Sequence, residues 1–214
     1  MMQLVIGNHN YSSWSLRAWL LMRHTGLKFE TLRIALFTPG FTDQIKQYSS
    51  AAKVPVLLDN GQTIWDSLAI CEYISEQHLN GAGWPVDIQL RAHARSSCAE
   101  MHSGFMALRN EMPMNCRRTV DNFSTSEASR KDIERICQLW DEALKISGSE
   151  QFLYGDFSIA DAFYAPVIYR FNSYGVALTP QLEAYKERVL NLPACQEWLE
   201  LARQETEVIE EEEV

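Results

Sequence analysis

The chain has 214 residues, 46% of them hydrophobic and 22% charged, with a formal net charge of -9. This size fits one large domain or two small ones, and the composition is ordinary for a globular protein. The apolar runs are too short to cross a bilayer, no basic stripe indicates nucleic-acid binding, and the N-terminus lacks a signal-peptide pattern.

Residues 1–78 contain alternating strand and helix signals. Short apolar or alternating segments predict strands over residues 3–7, 28–34, 56–58 and 63–65. Helical spacing and capping residues predict helices over residues 12–25, 42–48 and 66–78. Asn60 and Gly61 predict a tight hairpin turn between the last two strands. The order predicts an α+β domain with the topology βαβαββα.

Residues 79–86, with the sequence LNGAGWPV, have the Gly and Pro content of a linker. After this linker the sequence has no good strand pattern. Helices are predicted over residues 87–111, 127–147, 158–173, 181–190 and 194–206. Residues 87–206 are therefore expected to form an all-α helical-bundle domain. Within it, Ser158 and Asp161 have the spacing of a capping box, with Asp in place of Glu.

The last residues, 207–214, form a tail rich in glutamate. Blocks of like charge are usually solvated, so this tail is expected to be frayed and to aid solubility. The five cysteines are widely spaced and include no C-x-x-C pair, which argues against a zinc site or a disulfide framework. A reducing, cytoplasmic location is the simplest expectation.

Three local features of residues 1–78 carry the functional argument. Ser12 and Ser13 open the first helix, and Asp66 and Ser67 open the third. Pro55 precedes a strand in the segment KVPVL. Taken singly, each feature has an ordinary interpretation, because serine and aspartate are common helix caps and proline is common at strand starts.

Taken in order, these features resemble the glutathione transferase superfamily over essentially the whole chain. Ser12 is followed five residues later by Arg17, as in the serine-type members. KVPVL resembles the segment that holds the family's cis-proline, and DSLAI and SIADA resemble two of its helix starts. The paired serines are similar to those of the zeta-like, maleylacetoacetate isomerase branch. That branch continues with cysteine where this chain has Trp14, and Asp66 replaces the usual Glu or Gln.

The resemblance implies a thioredoxin-like first domain and a helical second domain, with glutathione as co-substrate and no metal. Ser12 is then the catalytic residue, which donates a hydrogen bond to the glutathione sulfur. A free thiol has a pKa of about 8.5, so a helix N-terminus and a hydroxyl donor would both favour the thiolate. The implied glutathione contacts are Ser13, Lys53, Val54, Pro55, Asp66 and Ser67, with Lys46 behind Lys53 and a cis Val54–Pro55 bond.

A second, electrophilic substrate is expected to bind between the domains. The candidate residues for its pocket are Phe105, Met106, Arg109 and Met112, followed by Tyr164 and Arg170 as weaker ones. The histidines have no metal-like spacing and are expected to be structural. The resemblance also implies a homodimer, in which the α/β half of one subunit contacts the helical half of the other.

The sequence leaves several functions open. The leading one is transfer of glutathione to an electrophilic small molecule. Glutathione-dependent cis-trans isomerisation of a dicarboxylic diketo acid is a close variant, for which Arg109 and Arg170 are the available basic residues. A non-catalytic binding or interaction module is the alternative from another class. Glutathione-dependent reduction of disulfides or dehydroascorbate would need a cysteine at the first helix start, whereas the first cysteine is Cys71.

Overall fold

The computed structural model describes residues 1–213, and its N-terminal half is built on a four-stranded mixed sheet with the order β2-β1-β3-β4. Strand β1 runs parallel to β2 and antiparallel to β3, which forms a hairpin with β4. The turn between β3 and β4 has positive φ at both Asn60 and Gly61, which the predicted Asn-Gly turn requires. The strands are β1 (Gln3–Ile6), β2 (Glu30–Arg33), β3 (Val56–Asp59) and β4 (Gln62–Trp65).

Helices cover both faces of this sheet. They are α1 (Ser13–His24), α2 (Phe41–Lys46) and α3 (Ser67–His78). Side chains alternate along a strand, so Leu4 and Leu57 belong to the core formed with α1 and α3. Val5 and Val56 belong to the smaller core on the other face, with Ile45 of α2. The predicted α+β, thioredoxin-like topology βαβαββα is confirmed.

The C-terminal half is helical, as predicted. Its helices are α4 (Ile88–Ser103), α5 (Met106–Glu111), α6 (Glu127–Ser147), α7 (Ile159–Ser173), α8 (Pro180–Leu190) and α9 (Pro193–Gln204). Helix α7 is buried on nearly all sides and packs against α1, α4 and α8. Ser158 and Asp161 form the capping box that starts it. No helix within residues 1–213 is long and apolar enough to cross a membrane.

The single helix predicted over residues 87–111 is wrong, because the chain breaks between α4 and α5. Gly104 is extended and Phe105 has a φ of 61°, so the helical hydrogen bonding stops there. A Cβ at Gly104 would lie 2.9 Å from the Glu100 carbonyl oxygen, so the close approach needs glycine. Arg109 donates to the carbonyls of Gly104 and Met101, which ties α5 to the end of α4.

The expectation of a frayed acidic tail over residues 207–214 is wrong for residues 207–213, and Val214 lies outside the described residues. We call residues 205–213 the C-terminal strap. Ile209 is 6% exposed, and Arg117 donates hydrogen bonds to the carbonyls of Glu205 and Glu207. The Tyr11 hydroxyl donates to a Glu213 carboxylate oxygen at 2.5 Å. Distant basic and hydroxyl groups thus give this acidic segment specific partners.

Candidate active site

A cavity of about 920 Å³ lies where the N-termini of α1 and α3 meet α4, α5, α7 and the strap. The residues predicted from the resemblance to contact glutathione come together here, although they lie in three separate stretches of sequence. They are Ser12, Ser13, Lys53, Val54, Pro55, Asp66 and Ser67. The cavity is large enough for a small-molecule ligand, whose typical sites span roughly 300–1,000 Å³.

Ser12 occupies the N-cap position before α1, but its side chain does not cap the helix. Ser12 makes no side-chain bond to the first-turn N–H groups. The Ser12 hydroxyl donates a hydrogen bond to Ser15 Oγ at 2.7 Å, and the Gly7 N–H donates to the same oxygen at 3.1 Å. A hydroxyl carries one proton and rotates to suit its partners, so the Ser12 proton can turn from Ser15 to an acceptor in the cavity. The Ser12 hydroxyl is therefore not used as a helix cap, and it is a donor already in this structure.

Positive potential accumulates behind these serines. The first turn of α1 has no acidic residue to offset the helix dipole. The Arg17 guanidinium is fully buried, 4.3 Å from the centre of the Trp14 ring and 4.5 Å from that of Phe163. Its Nε and Nη2 have no hydrogen-bond partner among residues 1–213. Burial lowers the pKa of Arg17 to about 9, which still leaves it charged at neutral pH.

The Arg17 side chain links the two helix starts at the cavity. Its Nη1 donates to Ser67 Oγ at 3.4 Å, and Ser67 is the first residue of α3. With its oxygen accepting from Arg17, the Ser67 hydroxyl can donate its own proton into the cavity. The two serine-bearing helix N-termini thus face one cavity, and helix N-termini favour anions.

The residue before Ser67 has two roles in the structure. Asp66 caps α3, since its Oδ1 accepts from the N–H groups of Leu68 at 2.8 Å and Ala69 at 3.3 Å. Its Oδ2 lies 3.1 Å from His102 Nε2. His102 was expected to be structural, but it lines the cavity, and burial lowers the pKa of its imidazole.

The segment before β3 has the predicted geometry. The Val54–Pro55 peptide bond is cis. Lys53 is exposed at the cavity rim, Val54 is half-buried and Pro55 is buried. Lys46 is exposed and lies outside the cavity lining, so the structure does not bring it to this site.

Of the residues predicted for the second-substrate pocket, Arg109 and Arg170 line the cavity. The others do not. For Phe105, Met106 and Met112 the reason is the break before α5, because these residues do not continue the helix of α4 as predicted. Phe105 packs in the core, Met106 points to solvent and the fully buried Met112 accepts a hydrogen bond from Ser129 Oγ. The lining likewise omits Tyr164, whose buried hydroxyl bonds with Ser97.

Several cavity residues were missed in the sequence. Tyr11 and Trp14 flank the two serines and could have been included with that motif. The others that sequence reasoning did not single out are Leu36, Phe37, Phe41, Ala51, Ala52, Trp65, His102 and Glu212. The sequence does not distinguish Glu212 from its neighbours, because it lies in a run of four glutamates.

Comparison with known proteins identifies relatives along most of the chain. Residues 11–77 match the glutathione S-transferase N-terminal domain and residues 124–201 match the glutathione S-transferase C-terminal domain. The chain is 30% identical over 186 residues to a probable maleylacetoacetate isomerase of Caenorhabditis elegans, covering 85% of each chain. It is 26% identical over 171 residues to the maleylacetoacetate isomerase of Mus musculus, covering 78% of this chain and 77% of that one.

The structural comparison agrees with the sequence comparison. A crystal structure of a glutathione transferase homolog from Burkholderia, with bound glutathione, superposes with a TM-score of 0.73 at 25% identity. The match covers 95% of this chain and 99% of that one. Because both domains match and the relatives align over most of their length, the chain belongs to the glutathione S-transferase family.

Proposed function

We propose that the protein is a serine-type glutathione transferase, which converts the thiol of glutathione to the thiolate and adds it to an electrophilic small molecule. The observation that carries the proposal is the convergence of two serine-bearing helix N-termini, next to the buried Arg17, on one cavity. In this scheme the glutathione sulfur is the nucleophile, and Ser12 stabilises its negative charge.

The magnitudes are sufficient for thiol activation. A helix N-terminus stabilises a nearby anion by about 0.3–2 kcal/mol, and a hydrogen bond to a charged group contributes about 1.5–3 kcal/mol. Since one pKa unit corresponds to about 1.4 kcal/mol, the two effects together lower a thiol pKa of about 8.5 by about 1.3–3.6 units. The thiolate then becomes a major species near neutral pH.

The rest of glutathione would be held by polar groups around the cavity. The hydroxyl and N–H of Ser67 suit the γ-glutamyl carboxylate. The Asp66 Oδ2, which lies 3.1 Å from His102 Nε2, suits the ammonium group. Lys53 at the rim suits the glycine carboxylate. The backbone of Val54 suits the cysteinyl part, paired as an added strand. Ser13 and Pro55 complete the contacts.

Ser67→Ala should raise the KM for glutathione about ten- to hundred-fold and leave kcat at saturation nearly unchanged. The Ser67 hydroxyl contacts a part of glutathione remote from the sulfur, so its loss weakens ground-state and transition-state binding equally. Steady-state kinetics with varied glutathione measure both constants. Ser96→Ala is a matched control, because the exposed Ser96 hydroxyl bonds only to the Ala92 carbonyl. A KM equal to that of the wild type would contradict this role for Ser67.

The direct test of the proposed function is calorimetric titration with glutathione, followed by a turnover screen over aryl halides, peroxides, epoxides and maleylacetone-type acids. Saturable binding and glutathione-dependent turnover of at least one electrophile are expected. Binding without any turnover would favour the non-catalytic binding module, and absence of binding would contradict both functions.

Isomerisation is the second candidate function, because Arg109 and Arg170 line the cavity and can pair with the carboxylates of a diketo acid. In that reaction the thiolate adds to the cis double bond, the resulting single bond rotates, and the thiolate leaves to give the trans isomer. Glutathione is regenerated in this cycle. Turnover of maleylacetone without loss of free thiol would distinguish isomerisation from conjugation.

We propose further that the protein acts as a homodimer in the cytoplasm, where it detoxifies electrophiles. The balanced charges of residues 1–78 and the acidic remainder of the chain support contact between unlike halves of two subunits. Sedimentation velocity at micromolar concentration should give twice the mass of the chain. A monomer under these conditions would contradict the proposed assembly.

A further inference from the structure

The C-terminal strap, residues 205–213, is fixed at its beginning by the loop that leads to Ser12. The Glu205 carboxylate accepts hydrogen bonds from the N–H groups of His9 at 2.7 Å and Asn10 at 3.0 Å. The next acidic residue, Glu207, pairs with Arg33 at 2.7 Å. These contacts attach the strap to the α/β half of the chain.

The far end of the strap is fixed as well. Glu213 Oε1 accepts from the Tyr11 hydroxyl at 2.5 Å and from Asn115 Nδ2 at 2.9 Å. Its other oxygen lies 3.5 Å from Arg118 Nη1. Since Ile209 is buried between the two ends, the strap has a defined path beside Tyr11, which itself lines the cavity.

This path places one glutamate of the strap in the cavity. Glu212 lines it together with Arg170, while Glu210 and Glu211 are exposed. Burial raises the pKa of Glu212, and the positive charge of Arg170 opposes that shift. A short 3₁₀ turn over Glu210–Glu212 sets the different orientations of these neighbouring side chains.

The two cations at this end of the cavity have no close ion-pair partner among residues 1–213, although the charge of Asp132 partly offsets the burial that lowers the pKa of Arg109. Arg170 donates to the carbonyls of Met112 and Pro166, and Arg109 likewise donates to main-chain carbonyls. Within residues 1–213 neither guanidinium lies within 4.0 Å of a carboxylate oxygen. Glu212 of the strap therefore places a negative charge in the part of the cavity where a substrate carboxylate would pair with Arg170.

We propose that Glu212 is a specificity-determining residue, which disfavours electrophiles that carry a carboxylate at the Arg170 end of the cavity. It competes with such a carboxylate for Arg170 and repels it directly, whereas an uncharged electrophile is little affected. The inference rests on the proposed function and adds to it the charge class of the second substrate. The strap is then part of the electrophile site.

The test compares two glutathione conjugates of equal chain length, S-hexylglutathione and S-carboxypentylglutathione, by calorimetric binding. Glu212→Gln should tighten binding of the carboxypentyl conjugate about three- to tenfold, because one like charge is removed nearby, and should change that of the hexyl conjugate less than about twofold. Glu211→Gln is the matched control, since it makes the same charge change at the exposed neighbour. It should leave both dissociation constants at their wild-type values.

A second variant tests whether the strap holds Glu212 in place. Glu213→Ala removes the bonds to Tyr11 and Asn115 and should shift the preference toward the carboxypentyl conjugate in the same direction. If Glu213→Ala kept the wild-type ratio of the two dissociation constants, the strap would not be what holds Glu212 in its selective position. Equal ratios of the two dissociation constants in wild type, Glu212→Gln and Glu211→Gln would overturn the inference while leaving the proposed function intact. Failure of the wild-type protein to bind either conjugate would contradict both.

Discussion

Ser12→Ala should lower turnover at mildly acidic pH about ten- to hundred-fold and raise the pKa of bound glutathione by about one to two units, given about 1.5–3 kcal/mol for a hydrogen bond to a charged group. Glutathione affinity should change little, because the lost contact is to the sulfur alone. The pH dependence of kcat measures the effect. Activity should recover as the pH rises, since the unassisted thiol then ionises by itself.

Ser13→Ala is the matched control, one residue further along α1. Ser13 also lines the cavity, but it lies inside the first helical turn. It takes no part in the two hydrogen bonds that Ser15 Oγ accepts from Ser12 and from the Gly7 N–H. Its removal should shift the pH profile much less. A profile that shifts in Ser13→Ala and not in Ser12→Ala would reverse the two roles. If neither variant shifts, main-chain N–H groups or Trp14 stabilise the thiolate.

Asp161→Ala should lower the free energy of unfolding by about 3–5 kcal/mol, the range for removing one partner of a buried charged network. Asp161 is fully buried and accepts hydrogen bonds from the N–H groups of Leu153 and Ser158 and from two hydroxyls, those of Ser158 and Tyr185. All four donors lose their partner together. For a chain of this length the expected fall in Tm is about 6–20 °C.

The control for this prediction is Asp156→Ala, which removes an exposed carboxylate from the same loop. Surface substitutions of this kind usually change stability by no more than about 0.5 kcal/mol. Denaturant unfolding followed by circular dichroism compares the variants. Equal loss of stability in both would mean that the capping box contributes no more than a surface charge does.

The first half of the fold could be predicted because its signals are local. Serine or aspartate opens α1 and α3, and Asn60 with Gly61 defines the hairpin, so each element boundary depends on a few neighbouring residues. The cis bond before Pro55 was different, since an X–Pro bond is cis in only about 5% of cases and nothing local specifies it. There the resemblance to a family supplied the prediction.

The features that were missed depend on contacts between distant parts of the chain. Gly104 interrupts a helical pattern, but the break is held by Arg109, which reaches back to α4. The strap is held by Tyr11 and Arg117, far away in sequence. A run of glutamates predicts solvation in isolation, and only the folded chain shows that Glu212 faces a cavity. The electrophile end was therefore predicted less well than the glutathione end.

Arg170, a weaker candidate for the pocket in the sequence, has a further local signal there. It lies in α7, whose other residues are mostly apolar and buried. A charged side chain is rarely buried unless it is paired. This pattern predicts that the guanidinium meets an anion or a cavity. It does not predict which other elements line that cavity, because Arg109 and Glu212 are positioned by tertiary packing.

Glutathione bound in this cavity is expected to be present as the thiolate near neutral pH. The most direct measurement is the ultraviolet absorbance of the thiolate, titrated against pH with glutathione bound to the wild-type protein. We predict that the bound thiol titrates about 1.3–3.6 units below the value of about 8.5 for a free thiol. A bound thiol that titrates at the free value would contradict it.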